Sequence, residues 1–225
     1  MTRADLKTFA LRLAQVDLAK IGAGADESAL DAAIMRYNQD APKVVTAILD
    51  LSDGGAVLPD GFVWEFATIR QVECPLGQRP PAYLRSEAYY TYNDGTVSRI
   101  ELLSTAGDEL RLWYTVRHLA SDTEYTLPDP HTEAVASWAA AVLCEMEASR
   151  LSAKNNPTIA ADSQNQQDPA RAFAARAKTL RQRYFDELGV DTKRAAPVSA
   201  DVSFTQRDSK GRTRLTHPLP TTTWN

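Results

Sequence analysis

The sequence predicts an α+β protein that is mainly helical: a helical bundle of two N-terminal and two long C-terminal helices, an inserted small antiparallel β module, and an extended C-terminal arm. Three observations predict it. Apolar residues recur every three or four positions before Pro42 and again after Leu127. Between Lys43 and Leu119 they alternate with polar residues instead, and from Val190 onward little remains to build a core from. Residues 1–189 are therefore read as one folded domain, divided into a helical hairpin (1–42), a β module (43–122) and a helix pair (129–189). Residues 190–225 are read as the arm.

Each element has its own signal. Residues 4–21 read as an amphipathic helix, with Leu6, Phe9, Leu13 and Val16 on one face and Gly22 as the stop. The next helix starts at Asp26 or Ser28 as cap, places Leu30, Ile34 and Tyr37 on a face, and ends before Pro42. "KVVTAILDL" is an apolar, β-branched run stopped by "SDGG", and "FVWEFATIRQVECP" alternates loosely. In "SEAYYTYNDGTVSRIELL" the Asn93-Asp94-Gly95 stretch supplies residues that tolerate positive φ between two alternating strands, which marks a hairpin. "ELRLWYTVRHL" closes the set with Leu110, Leu112, Tyr114 and Val116 on one face, so the module reads as a small sandwich or barrel. Helix returns with Asp129 as cap and Pro130 at the first position, along a stripe of Val135, Trp138, Val142, Leu143 and Met146. After a polar loop the last helix has Asp168 and Pro169 at its start, Phe173, Ala177, Leu180, Tyr184 and Leu188 as its stripe, and Gly189 as its stop.

Composition narrows the function classes. The 225 residues are 44% hydrophobic and 24% charged, as expected of a globular domain. The formal net charge is −4, and six Lys/Arg against three Asp from Val190 onward leave the first 189 residues at −7 and the rest at +3. An acidic body with a basic tail suits a tail that docks on something acidic. Two separated cysteines, Cys74 and Cys144, make no disulfide framework and fit a reducing compartment. The N-terminus carries charges where a signal peptide would be apolar, and no run approaches the roughly 18 apolar residues of a transmembrane helix. The expectation is synthesis in the cytoplasm and no membrane partner.

A search for catalytic chemistry returns structural explanations. His118, His131 and His217 have no second ligand at metal spacing. "GAGAD" at Gly22 lacks a third glycine and a preceding strand, so it reads as a helix connector. Glu145 with Glu147, and Asp186 with Glu187, do not share a helix face and read as solvated. No nucleophile elbow is present, and neither cysteine has a histidine nearby in sequence. Arg171, Arg176, Lys178, Arg181 and Arg183 give the last helix a basic side, but it lacks the aromatics and amides of a base-reading face. That side reads as solvated, or as meeting an acidic neighbour in an oligomer. The expectation is no catalytic residue, no cofactor and no metal.

Several stretches together resemble the head–tail connector proteins of tailed bacteriophages, the adaptors that dock beneath the portal. They are "ALDAAIMRYNQDAPKVV" in the opening hairpin, "LPDGF" and "RQVECPLG" leading to "RPPAYL", "YTVRHL" in the last strand, "AADSQNQQDPARAFAARAKTLRQRYFDELG", and the basic tail "QRDSKGRTRLTHP". The resemblance covers nearly the whole chain and is loosest in the β module. It implies a structural virion protein without catalytic residues, forming a ring, typically a dodecamer, around the channel through which DNA leaves. It further implies the portal protein, neighbouring copies and a stopper or tail-completion protein as partners, with DNA passing through unread. Its location would be the virion neck, after synthesis in the host cytoplasm. The basic tail would then be the arm that grips the portal, with Phe204 and Leu215 as apolar anchors and Arg207, Lys210, Arg212 and Arg214 facing acidic groups. Two other readings stay open: a stopper or tail-completion protein lower in the neck, and a small enzyme or nucleic-acid-binding factor.

Overall fold

Helix α1 (Arg3–Ala14) opens with a reciprocal cap, in which Thr2 Oγ1 accepts from the Asp5 amide and the Asp5 carboxylate accepts from the Thr2 amide. It belongs to a computed structural model that describes residues 2–93, 95–104, 107–121, 123–154 and 169–190. The expected single helix over 4–21 is broken. Gln15 takes a left-handed conformation at φ 53°, and Asp17 caps a separate turn, α2 (Leu18–Ile21), by accepting from the Ala19 amide. A short polar side chain that bonds its own backbone two residues on competes with helix continuation, which is why the stripe alone overran the break. Helix α3 (Ala25–Asp40) starts from Gly24 at φ 78°, with Asp26 and Glu27 in its first turn and neither Asp26 nor Ser28 as cap.

The fourth helix, α4 (Thr132–Lys154), lies against α1, α3 and the fifth helix, α5 (Pro169–Leu188). A 3-10 turn over Asp129–His131 precedes it, capped from Pro128, so the expected Asp129–Pro130 start belongs to that turn. Being surrounded, α4 is buried well beyond its predicted stripe. Ala134, Ala136, Ala139, Ala140 and Ala141 are all sealed, alongside Val135, Leu143 and Cys144. Small side chains let three helices approach one axis closely. One core cluster joins Leu6, Leu30, Tyr37, Val135 and Tyr184, and a second joins Ala14, Ala29, Ala140, Cys144, Ala177 and Leu180. Full burial of each large apolar side chain contributes about 1.5–3 kcal/mol. The stripe expected of α5 is the observed one: Ala177, Leu180 and Tyr184 are buried, and Phe173 and Leu188 are partly so. Gly189 ends it at φ 65°.

Between α3 and α4 lie two antiparallel sheets of three strands. The first has the order β1 (Lys43–Asp50), β6 (Glu109–Val116), β3 (Ile69–Glu73). The second has the order β2 (Gly55–Val57), β5 (Ser98–Leu102), β4 (Tyr89–Asn93). Their facing sides share one core, with Val72, Leu110, Leu112 and Tyr114 from one sheet and Ala56, Ile100 and Leu102 from the other. The β4–β5 hairpin forms at the expected place, with Gly95 at φ 89° and its amide bonded to Asn93 Oδ1 at 2.8 Å; Asp94 lies outside the described residues. Gly55 is required where it stands, because a Cβ there would sit 2.9 Å from Glu101 Cγ and 3.1 Å from the Ile100 carbonyl oxygen. "FVWEF" is not strand. After Pro59, Asp60 and Gly61 its amides bond backwards, Phe62 to Pro59 and both Phe66 and Ala67 to Val63, and the ladder begins only at Ile69.

The α4–α5 seam is anchored by an aromatic cluster. Trp138 lies 4.8 Å from Tyr184 and 5.7 Å from Phe185 between ring centroids, and the guanidinium groups of Arg36 and Arg181 cover its faces at 5.2 and 5.1 Å. Trp138→Ala should cost about 3 kcal/mol in urea denaturation, the low end for large aromatics because the side chain is only partly buried. A loss below about 1 kcal/mol would contradict this role for the seam. Ala140→Leu, which adds bulk where α4 is sealed, should cost about 1–3 kcal/mol through overpacking.

Candidate functional site

Phe204, Arg207, Lys210, Arg212, Arg214 and Leu215, the residues assigned to a partner-gripping arm, lie outside the described residues, as does His217. Within the described part, the polar residues converge where the helices meet the β module. Asn38, one turn from the end of α3, brackets the chain just after β6. Its Nδ2 donates to the His118 carbonyl at 3.3 Å, and its Oδ1 accepts from the His118 amide at 2.6 Å. The side chain thus does the work of a strand neighbour for main chain that has left the sheet. The His118 ring turns inward, with Nδ1 placed to donate to the Thr126 carbonyl at 2.9 Å, and it stacks obliquely on Tyr37 at 5.1 Å. Tyr37 Oη in turn lies 2.6 Å from His131 Nδ1. Burial holds the His118 ring below its ordinary pKa and the Tyr37 phenol above its own.

A second network ties α3 to α5. Asp40 takes Arg36 in a two-point contact, Nε to Oδ2 at 2.7 Å and Nη2 to Oδ1 at 3.0 Å, and also accepts from Tyr184 Oη at 2.8 Å. Burial, then the hydrogen bond to the Asp40 carboxylate, pushes the Tyr184 phenol well above its usual range. A phenol held so firmly protonated serves as a donor. Cys144 is likewise inert: burial raises its thiol to about 11, and its Sγ points at the Ala14 carbonyl at 3.6 Å.

Several of the acidic and basic residues singled out from sequence are engaged in side-chain pairs. Glu147 is buried rather than solvated and is clasped by Arg150 at 2.5 and 2.7 Å, which lowers its pKa. Glu145 receives Arg181 at 2.7 Å, Glu187 receives Arg183 at 2.6 Å, Glu133 pairs with Arg183, and Arg176 bonds Gln15 Oε1 at 2.9 Å. Two of the five basic residues on that side of α5, Arg181 and Arg183, therefore meet acids of their own chain, and Arg171 and Lys178 remain exposed. Among the described residues no group of three His, Cys, Asp or Glu is placed to hold a metal ion, and no helix is long and apolar enough to cross a membrane.

One open groove of about 700 Å³ runs between α3 and the segment after β6. Ile34 and Met35 line one wall and Leu119 the other, with Phe66 under the Arg117 guanidinium at 5.2 Å. Arg3 closes one end, donating to the Ala120 carbonyl at 2.8 Å and pairing with Glu27 and Asp31 at 2.7 and 2.6 Å. Met35 at 66% and Leu119 at 46% exposure make its rim apolar, which suits a side chain of another molecule better than a polar small molecule. Spacing in sequence gave no sign of this groove, because its walls are some 80 residues apart and are brought together by long-range contacts such as Asn38 with His118 and Tyr37 with His118. No family model and no curated protein matches this sequence.

The His118 ring gives a pH test. Its pKa is depressed in the folded state, so the unfolded chain takes up a proton first as pH falls. Stability is complete above the ordinary His value of about 6.5 and declines below it. Urea midpoints at pH 7.5 and 5.5 should therefore fall more for the parent than for His118→Asn, whose amide can donate to Thr126 without titrating. Equal falls would show that the ring is not held neutral by its surroundings.

Proposed function

We propose that this protein is a head–tail connector of a tailed bacteriophage, an adaptor that docks beneath the portal as a ring and links the DNA-filled head to the tail. The observation that carries the reading is the order of parts. A helical hairpin, an inserted β module and a closing helix pair are followed by a basic stretch whose composition cannot sustain a core, and these parts coincide with the stretches that resemble connectors. Two further observations support it. The titratable side chains at the helix–sheet junction are committed to packing and hydrogen bonds, as befits a scaffold. The body is acidic at −7 over residues 1–189, and a channel wall of that sign lets DNA slide past without sticking.

In this reading the extended arm, residues 190–225, grips the portal. Phe204 and Leu215 anchor it, and Arg207, Lys210, Arg212 and Arg214 meet acidic groups. Neighbouring copies complete the ring, and a stopper or tail-completion protein binds below. The protein works in the virion neck and needs no cofactor.

The test mixes the full chain with the portal protein encoded in the same genome and images the complexes by negative stain. The adaptor adds a ring of density at the portal's narrow end. A bare portal would overturn the assignment, and density that forms only when a further neck protein is present would move the chain down to the stopper position. Replacing Arg207, Arg212 and Arg214 together by alanine should weaken attachment most at low salt, with the deficit shrinking as salt rises, because the lost attraction is the screened part. An unchanged salt dependence would remove the arginines from the contact.

A further inference from the structure

The outer edge of β1 is bare. β1 lies at the margin of its sheet, pairs along its whole length with β6, and among the described residues makes no main-chain hydrogen bond outside that ladder. The main-chain groups that point away from β6 thus form an unpaired row along a strand of eight residues. Exposed edges of this kind usually carry charges, a proline or a bulge that blocks pairing. β1 has none of these between Val44 and Leu49, and its register with β6 runs without interruption. Its outward side chains are apolar instead. Val44 is 52% and Ile48 56% exposed, and Thr46, also exposed, lies between them. Trp113 lies opposite Thr46, and Tyr83 packs on Trp113 at 6.1 Å and is itself 52% exposed, so the apolar surface continues across the sheet.

We propose that this edge pairs with β1 of a second copy, antiparallel about a two-fold axis, so that two three-stranded sheets become one of six strands. The geometry of β1 selects both the partner and the register. Two identical antiparallel edges that keep their outward faces on the same side must be related by an axis perpendicular to the sheet, so the register centres on a residue opposite its own copy. Centred on Thr46, Val44 faces the second copy's Ile48 on both sides of the axis, and Thr46 faces Thr46. These are β-branched and Thr–Thr cross-strand pairs, which stabilise sheets. The same register sets Lys43 opposite the second copy's Leu49 and leaves Asp50 on the other face of the sheet, so no like charges meet along the edge. Centring on Ala47 would instead set Val44 against Asp50, and centring on Val45 would set it against Thr46. A cleft of about 310 Å³ between Ile48–Asp50 and Gly55–Val57 leaves room for the incoming Val44 end.

A two-fold pair does not by itself close a ring, so this contact is separate from the ring contact of the connector reading, and the two stand or fall by different experiments. The test uses the full chain. Sedimentation velocity at high micromolar concentration should show a dimer. Ile48→Glu should make it monomeric while the monomer stays folded, because the Ile48 side chain is more than half exposed and the Arg111 guanidinium opposite it, which donates to Glu73, can also donate to a carboxylate there. Thr46→Cys should give a covalent dimer on mild oxidation with diamide, since directly opposed residues have Cα atoms about 4.5–5.5 Å apart, within disulfide range. Val44→Cys should give none, because the two Val44 positions are four residues, about 13 Å, out of step. Cys74 and Cys144 are buried and add little background. A monomeric parent would overturn the proposal. So would a dimer indifferent to Ile48→Glu, a dimer in which Val44→Cys crosslinks and Thr46→Cys does not, or a larger ring lost on Ile48→Glu, which would mean head-to-tail docking instead.

Discussion

Two hydrogen bonds between one asparagine side chain and the main chain of one residue tie the helical and sheet parts of this protein together. When Asn38 closes on His118, the chain leaving β6 is fixed against α3 rather than against another strand. Everything next to that point follows. The His118 ring is turned inward onto Tyr37, Tyr37 meets His131 at the approach to α4, and the segment Arg117–Ser121 becomes the far wall of the groove. A buried amide that satisfies both a donor and an acceptor is replaced poorly by anything else, since a hydrophobic residue would strand two main-chain groups and a carboxylate would strand one. The junction is therefore narrow, polar and specific, whereas the cores on either side of it are ordinary apolar packing.

Much of the fold was legible because its elements carry strong local periods. The stripes of α3 and α5, the alternation of β6 and the Asn-Asp-Gly hairpin each predict what forms. The failures are equally local in cause. Gln15 and Asp17 divide a continuous apolar pattern through one left-handed residue and one self-capping side chain, which a periodicity count does not register. "FVWEF" has strand composition but follows a proline-glycine turn that feeds its amides backwards. Alanine hides α4's true position: a helix buried nearly all round was read as having one face, since alanine is at home both inside and outside.

The junction was not legible for a different reason. Asn38, Arg3 and Tyr184 find partners 80, 117 and 144 residues away, and their sequence neighbourhoods say nothing of those partners. The i,i+4 pair Arg36–Asp40 could be read from spacing, but not that Tyr184 would complete it. Charge was misjudged in the same way. Arg181 and Arg183, which look like part of an exposed basic side of α5, face Glu145 and Glu133 of α4, a pairing that the α5 sequence alone does not suggest.

The placement of α4 at the centre of the helices also sets an order of events during synthesis. α1 and α3 emerge first, yet the helix they bury against begins only at Thr132, and the second helix that seals it begins at Pro169. The β module lies wholly between them, and its two sheets share a core made from residues 45–116. It can therefore close on the ribosome while α1 and α3 still wait with their apolar faces uncovered. For that interval the nascent chain presents a finished sheet module beside an unfinished helical layer, and Asn38 has His118 within reach before either long helix exists. The asparagine latch would then tie α3 to the finished module before α4 arrives, and it would hold α3 in the orientation that α4 later needs.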